Sequence, residues 1–283
     1  MSMRFKSLFA AAGAIAVAGA LLLPCGAGAA GSSLPTINIA LSGTRGVTVS
    51  GSTVSGAVQI VSTFSGKAPS GPEGGPDFGL VKLNPGVTIQ QAAGAVQAQH
   101  GDINALDPYG ALLVNASAPG TVQTVLTPGN WVALNLSSQN GQPGFAPFTV
   151  TQASAPAALP AASATQTAIE FGFRGPTVLH DGTIVRAQNQ GWLVHMVAFN
   201  GVKNKAAGVA LMKVLGVNSS FNAAKPFLNG SFANLLSPAS TGAMQQMVLN
   251  AKPGWYVEAC FMDTQDGREH VRLGMERLVK VVK

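Results

Sequence analysis

The sequence states one plan twice. Similar segments follow in the same order on either side of the Ala/Pro/Ser-rich stretch TQASAPAALPAASATQ, residues 151–166. Before it come SGAVQIVSTFSG, FGLVKLNPG, TIQQAAGAVQAQ, TVQTVLTPGNWVALNL and FAPFTVTQ. After it come DGTIVRAQNQG, LVHMVAFNG, NKAAGVALMKVLG, QQMVLNAKPGWYVEAC and ERLVKVVK. This self-similarity predicts a tandem repeat of one domain, residues 31–150 and 167–283, joined by a linker over 151–166. Within each copy, short runs rich in β-branched residues are bounded by Gly, Pro and Asn, as strands are. One helix-like stretch per copy, QQAAGAVQAQ and KAAGVALMKVL, interrupts the strands. Many strands with a single helix predict an all-β fold of two Greek-key β-sandwiches, each with one helical insertion. A parallel α/β sheet is the weaker alternative, because it needs a crossover helix after most strands.

The N-terminus reads as an address. Arg4 and Lys6 precede an apolar run from Leu8 to Leu23, and small residues follow at 27–30. That pattern predicts a signal peptide over residues 1–30 and a secreted or periplasmic protein. A retained anchor is the alternative, against which the Ala/Gly-rich run and the lack of a flanking stop-transfer charge both argue. Cys25 could carry a lipid at the cut, although Pro24 before it fits that pattern poorly. No later apolar stretch is long enough to span a membrane. The net charge of +6 is unevenly placed. Residues 31–150 hold three Lys/Arg against four Asp/Glu, and residues 151–283 hold twelve against seven. The basic residues of the second copy are scattered, without interleaved aromatics, which argues against nucleic acid as a partner. They allow an acidic protein partner.

Cys260 is the sole cysteine outside the leader. A lone thiol in an oxidising compartment is exposed to oxidation unless it is buried or bound. Here the stretch PGWYVEACFMDTQDGREHVRLGMERLVKV places His270 and Met275 close behind it. His195 lies on an earlier strand, followed by an Asn200-Gly201 pair that reads as a turn. Taken singly, His195 would be a core residue, Cys260 an inert thiol, His270 a solvated residue and Met275 packing. Taken together, two imidazoles, a thiolate and a weak thioether are the donor set of a blue-copper centre.

Residues 253–281 resemble the ligand loop of the cupredoxins, the plastocyanin-like copper proteins. Gly254-x-Tyr256-x-x-x-Cys260 matches that family's last strand before the loop, and His270-x-x-x-x-Met275 matches the loop's end. Val279 and Val281 continue the pattern into the following strand. The resemblance implies one copper per chain, held by His195, Cys260, His270 and Met275, and one-electron transfer or copper holding. It departs from the small plastocyanins in having nine residues between Cys260 and His270, and 64 between His195 and Cys260. Glu258, two residues before Cys260, shares its strand face and therefore requires a partner or an edge position.

Aligning the copies sets Asn135 opposite Cys260 and Gly79 opposite His195, so the first copy lacks the donors. It is expected to be structural or a docking partner. The chain has four histidines, His100, His180, His195 and His270, and no His-x-His pair. Multicopper-oxidase chemistry is thereby argued against, and a catalytic role is not expected. His180 precedes Asp181-Gly182 and reads as a hairpin turn, and His100 reads as solvated. DTQDG at 263–267 reads as a turn rather than a calcium loop, since the remaining oxygen ligands are missing. Arg268 and Arg272 flank His270 and could meet an acidic redox partner. A metal-free β-sandwich serving the cell envelope is the alternative reading.

Overall fold

A computed structural model describes residues 33–43, 45–67, 75–99, 101–137 and 143–283. The expected signal peptide, Cys25 and His100 lie outside these. Eight strands precede the 151–166 stretch: Thr36–Ser42 (β1), Gly46–Gly51 (β2), Gly56–Ser65 (β3), Asp77–Leu83 (β4), Gly110–Ser117 (β5), Gly120–Leu126 (β6), Gly129–Asn135 (β7) and Gly144–Val150 (β8). The second half opens with Ala164–Ile169 (β9), Gly172–Arg174 (β10), Val178–His180 (β11), Ile184–Asn189 (β12) and His195–Val202 (β13). It closes with Leu228–Ala239 (β14), Met244–Val248 (β15), Gly254–Ala259 (β16) and Glu276–Val282 (β17). Helix Ile89–Ala98 (α1) lies between β4 and β5, and Lys205–Leu215 (α2) with Phe221–Ala224 (α3) between β13 and β14. The protein is mostly β.

The strands form three sheets. One of four has the order β5-β4-β7-β8, and one of five the order β11-β17-β16-β13-β14. The third runs through both halves in the order β10-β9-β12-β15-β6-β3-β1-β2. The pairing of β1, β3 and β6 recurs in β9, β12 and β15, and that of β5-β4-β7-β8 recurs in β14-β13-β16-β17. The halves meet at β15 and β6 through the pair Gln246↔Gln123. The Gln246 Nε2 donates to Gln123 Oε1 across this seam, and Thr124 Oγ1 donates to Met244 O. On the other side, Leu112 N donates to Ser240 Oγ and Ser240 N to Leu112 O.

Side-chain alternation explains the layers. In β1, Ile37, Ile39 and Leu41 are buried while the residues between them are not, so one face covers a core and the other meets water. Every residue of β13 is buried instead. It is a central strand, with α2 packed outside it, which accounts for its continuous apolar run. Asn200-Gly201, expected as a turn after His195, lies inside β13. Gly201 is there for space: a Cβ would fall 2.4 Å from Asn229 Oδ1 and 2.7 Å from Ser231 Cβ.

Each helix begins on a side-chain cap. Thr88 and Gln91 form a capping box at α1, and Asn204 Oδ1 accepts from Ala207 N at α2. The 151–163 segment is tied to both halves, because Ala57 N donates to Ala157 O and Ser163 N to Ile184 O. No helix among the described residues is long and apolar enough to cross a membrane. The turn after His180 joins β11 of one sheet to β12 of another, rather than closing a hairpin.

Candidate metal centre

Three segments converge at one end of the second half. The first is the start of β13. Asn189 ties the preceding turn, donating to Leu193 O and Ala239 O and accepting from Gly191 N. The Val194 N–H donates to Asn104 Oδ1 at 2.8 Å. Asn104 belongs to the 3-10 turn Ile103–Leu106 of the first half, which Asp102 caps. Val194 also joins the apolar cluster of Val81, Leu83, Ile103, Leu106, Leu112 and Val132, against which Met262 packs. The ligand-free half thus holds the residue before His195 and one two places after Cys260.

The second segment is the end of β16, directly followed by Cys260. Its N–H donates to Met275 O at 3.2 Å, and its sulfur accepts from Met196 N–H at 3.4 Å. The third is the 3-10 turn His270–Leu273, ended by Gly274 at φ 93. The N–H of His270 donates to Met262 O at 2.7 Å, and Met275 N donates to His270 O at 3.0 Å. Glu269, just before this turn, accepts from the buried Ser219 hydroxyl of the segment after α2.

These segments bring His195, Cys260 and His270 together, all 0% exposed. Cys260 Sγ lies 3.7 Å from His195 Nδ1 and 3.4 Å from His270 Nδ1, and the two Nδ1 atoms are 3.1 Å apart. A triangle with those sides has a circumradius of about 2.0 Å, the length of a metal–imidazole bond. The donor set therefore fits a thiophilic transition-metal ion at its centre. Met275 is fully buried and is hydrogen-bonded through its backbone to both Cys260 and His270.

Burial sets the charge state. Desolvation pushes the Cys260 thiol up to about 12. It pushes His195 down to about 4, partly countered by Glu170, and His270 down to about 4 with help from His195. The metal-free site thus holds a neutral thiol and neutral imidazoles, with lone pairs available on the rings. A cation inverts this balance and favours the thiolate.

Sequence reasoning missed the supports around the triangle. Glu170 Oε1 accepts from the backbone N–H groups of Trp192 and Leu193, and lies 3.7 Å from His195 Nε2. That distance is longer than a hydrogen bond, and His195 is neutral, so the carboxylate stands beside the ring without pairing with it. Partial burial pushes the Glu170 carboxyl up, but the two N–H donors and His195 outweigh it, and the group sits below its ordinary value. The Phe171 ring meets that of His270 edge-on, with centroids 5.3 Å apart.

Glu258 has the partner that its burial demanded. Arg277 sits directly across from it in the β16–β17 register, and Arg277 Nε donates to Glu258 Oε2. Arg277 also reaches Gln166 and the carbonyl of Gly175, tying the two sheets together. Burial still pushes Glu258 up to about 7, with Arg277 acting in the opposite direction. The register of β17 was the signal that would have found Arg277.

The ligand loop closes on itself at 264–268, where Thr264 N donates to Arg268 O and Gly267 N to Thr264 O. Arg268 pairs with Asp266 and is exposed, as is Arg272. His180 is exposed beside Lys283 O and takes no part in the cluster.

In the first half, Gly79 pairs with Leu134, the residue before Asn135, whereas Ala198 pairs with Ala259, the residue before Cys260. Gly79 therefore corresponds to Ala198, and the counterpart of His195 falls three residues earlier, at Pro76. Between His195 and Val197 β13 advances two residues while β14 advances three, from Ala239 to Leu236, so the extra residue lies in β14 and the count along β13 holds.

No protein-family model and no curated protein matches the sequence. Among solved structures, the chain is similar to a dithionite-reduced auracyanin from Roseiflexus castenholzii, at 13% identity over 44% of this chain and 100% of that one, TM-score 0.27. Auracyanin A from Chloroflexus aurantiacus, described as a blue copper protein, matches at 15% identity over 42% and 96%, TM-score 0.25. A copper-containing nitrite reductase from Thermus scotoductus matches at 10% identity over 88% and 68%, TM-score 0.26. At these scores nothing is carried over to individual residues, and the site stands on its own geometry.

Proposed function

We propose that this protein is an exported copper protein whose second half would hold one copper ion between His195, Cys260 and His270, with Met275 as a further, weak thioether donor. The observation that carries this reading is the buried triangle of two Nδ1 atoms and one Sγ, sized for a bound ion. A thiolate with two imidazoles suits copper in both oxidation states, and a neighbouring thioether suits Cu(I) in particular. Copper bound there supplies a one-electron couple. The chain's own part is to keep the donors fixed and dry. All four side chains are 0% exposed, which leaves no side open to a substrate and favours electron transfer over turnover.

The recurring strand pairing supports two cupredoxin-like sandwiches in tandem, with residues 31–150 as the ligand-free copy. Arg268 and Arg272, exposed on and beside the ligand loop, fit an acidic redox partner. The test is direct. The full mature chain is titrated with Cu(II) and with Cu(I). An intense visible thiolate-to-copper band, abolished by Cys260→Ser, is expected. Absence of both the band and any Cu(I) binding overturns the proposal.

A further inference from the structure

The turn between β9 and β10 touches both histidines of the cluster. Ile169 and Gly172 pair across it, leaving Glu170 and Phe171 as its two residues. Glu170 faces His195 and Phe171 faces His270. We propose that this turn is the positioning element of the metal centre: Glu170 is the acceptor that keeps the proton of His195 on Nε2, and Phe171 braces the ring of His270. The inference rests on the reading that the cluster holds a metal, and deepens it.

Three independent observations support it. The first concerns tautomers. His195 can offer a bare Nδ1 to an ion only if its proton sits on Nε2, and a buried N–H needs an acceptor. The Nε2 atom has no hydrogen-bond partner, and the Glu170 carboxylate is the group beside it. Two backbone N–H groups, of Trp192 and Leu193, hold that carboxylate in place. A shift of under 1 Å would close the contact to hydrogen-bond length.

The second observation is a reserved space. A Cβ added to Gly191 would fall 2.5 Å from Glu170 Oε1 and 2.6 Å from His195 Nε2. It would sit between the two groups as a wedge. No positive φ accompanies this glycine, so its backbone conformation does not require it. What requires it is the approach of carboxylate to imidazole.

The third is strain. Phe171 has φ 53 and is the one non-glycine residue in the left-handed region among the described residues. Bulky side chains rarely accept that conformation, and turns ordinarily place glycine there. Glycine would relieve the backbone but leave the edge of His270 uncovered. A strained residue that persists against a ligand is the pattern expected of a positioning device.

The test begins with the full chain free of metal. Long-range 15N–1H spectra at neutral pH read the tautomer of His195, expected as Nε2–H. Glu170→Ala should give a mixture of tautomers, and Gly191→Ala should do the same with Glu170 still present. Glu170→Gln, which keeps an acceptor oxygen, should restore the Nε2–H form. Cu(I) affinity, measured by competition with a chromophoric chelator, should fall about 10- to 100-fold in Glu170→Ala and Gly191→Ala. Phe171→Gly should release Cu(I) to the chelator several-fold faster. Wild-type tautomer and affinity in both Glu170→Ala and Gly191→Ala overturn the role of Glu170, and unchanged release from Phe171→Gly overturns that of Phe171. A wild type that shows the Glu170-dependent tautomer but takes no copper overturns the metal reading and leaves the positioning role standing.

Discussion

Asn135 and Cys260 each stand six residues after the glycine that opens β7 or β16, yet the two sites are built on opposite principles. Asn135 is self-sufficient. Its amide donates to the carbonyls of Gly43 and Gly46, and its oxygen accepts from Ser137 N. The end of the first half is therefore closed by hydrogen bonds within the chain. Cys260 faces two ring nitrogens that meet only its sulfur and each other, so the three groups close on a common centre rather than on the backbone. The same strand position can seal a sandwich or prepare it for an ion, and the choice lies in whether neighbouring groups satisfy one another.

Exchanging the two residues breaks this comparison most severely. Cys260→Asn should abolish the visible thiolate-to-copper band altogether. The reciprocal Asn135→Cys should create none, because Pro76 stands where His195 would be needed. Absorption after Cu(II) titration checks both.

The next largest effect concerns the position two residues earlier, where the first half has Ala133 and the second has Glu258. Arg277→Met leaves a buried carboxylate without its partner and should cost about 3–5 kcal/mol in urea unfolding. Adding Glu258→Ala makes the second half resemble the first, and should recover much of that loss.

A pH series sharpens the contrast further. Both cluster histidines are depressed to about 4 in the folded metal-free protein, from a usual 6.5. Between those values the unfolded chain binds more protons, so stability falls as pH drops from about 6.5 towards 4. Each histidine contributes a slope of up to about 1.4 kcal/mol per pH unit. Glu258 and Glu276, both pushed up to about 7 by burial, contribute the opposite slope over much of this window, so the histidine contribution is read from the difference in urea midpoints between the metal-free wild type and His195→Asn. The first half has no buried histidine among its described residues and so adds no histidine contribution to this window.

The smallest effect tests where the halves meet. Asn104→Ala removes the acceptor of Val194 N and should cost about 1–3 kcal/mol, since a buried donor is left unmet. It should also shift the copper band slightly.

Much of the site was legible in the sequence because its donors are chemically rare. With one cysteine beyond residue 30 and four histidines in the sequence, spacing was enough to single out His195, Cys260 and His270. The stretches at 90–99 and 205–215 read as helices, and α1 and α2 occupy those places. The supports were illegible because they act across space. Asn104 lies 90 positions from Val194, and Glu170 reaches His195 through a turn that no periodicity marks. Asn200-Gly201 misled because local turn propensity yielded to the close packing of a central strand. Gly79 was misaligned because matching segments by their order does not fix single residues, whereas the pairing of β4 with β7 and of β13 with β16 does. The continuous eight-stranded sheet depends on a single Gln–Gln pair between distant strands, which no local pattern announces.

The contact of Asn104 with Val194 also turns chain order into an order of assembly. Domains form N-terminal first as a chain emerges. The surface made by Val81, Leu112 and the turn at 103–106 can thus exist before His195 does. The half that carries Asn104 is thus made first, and the strand that opens with His195 is added to it.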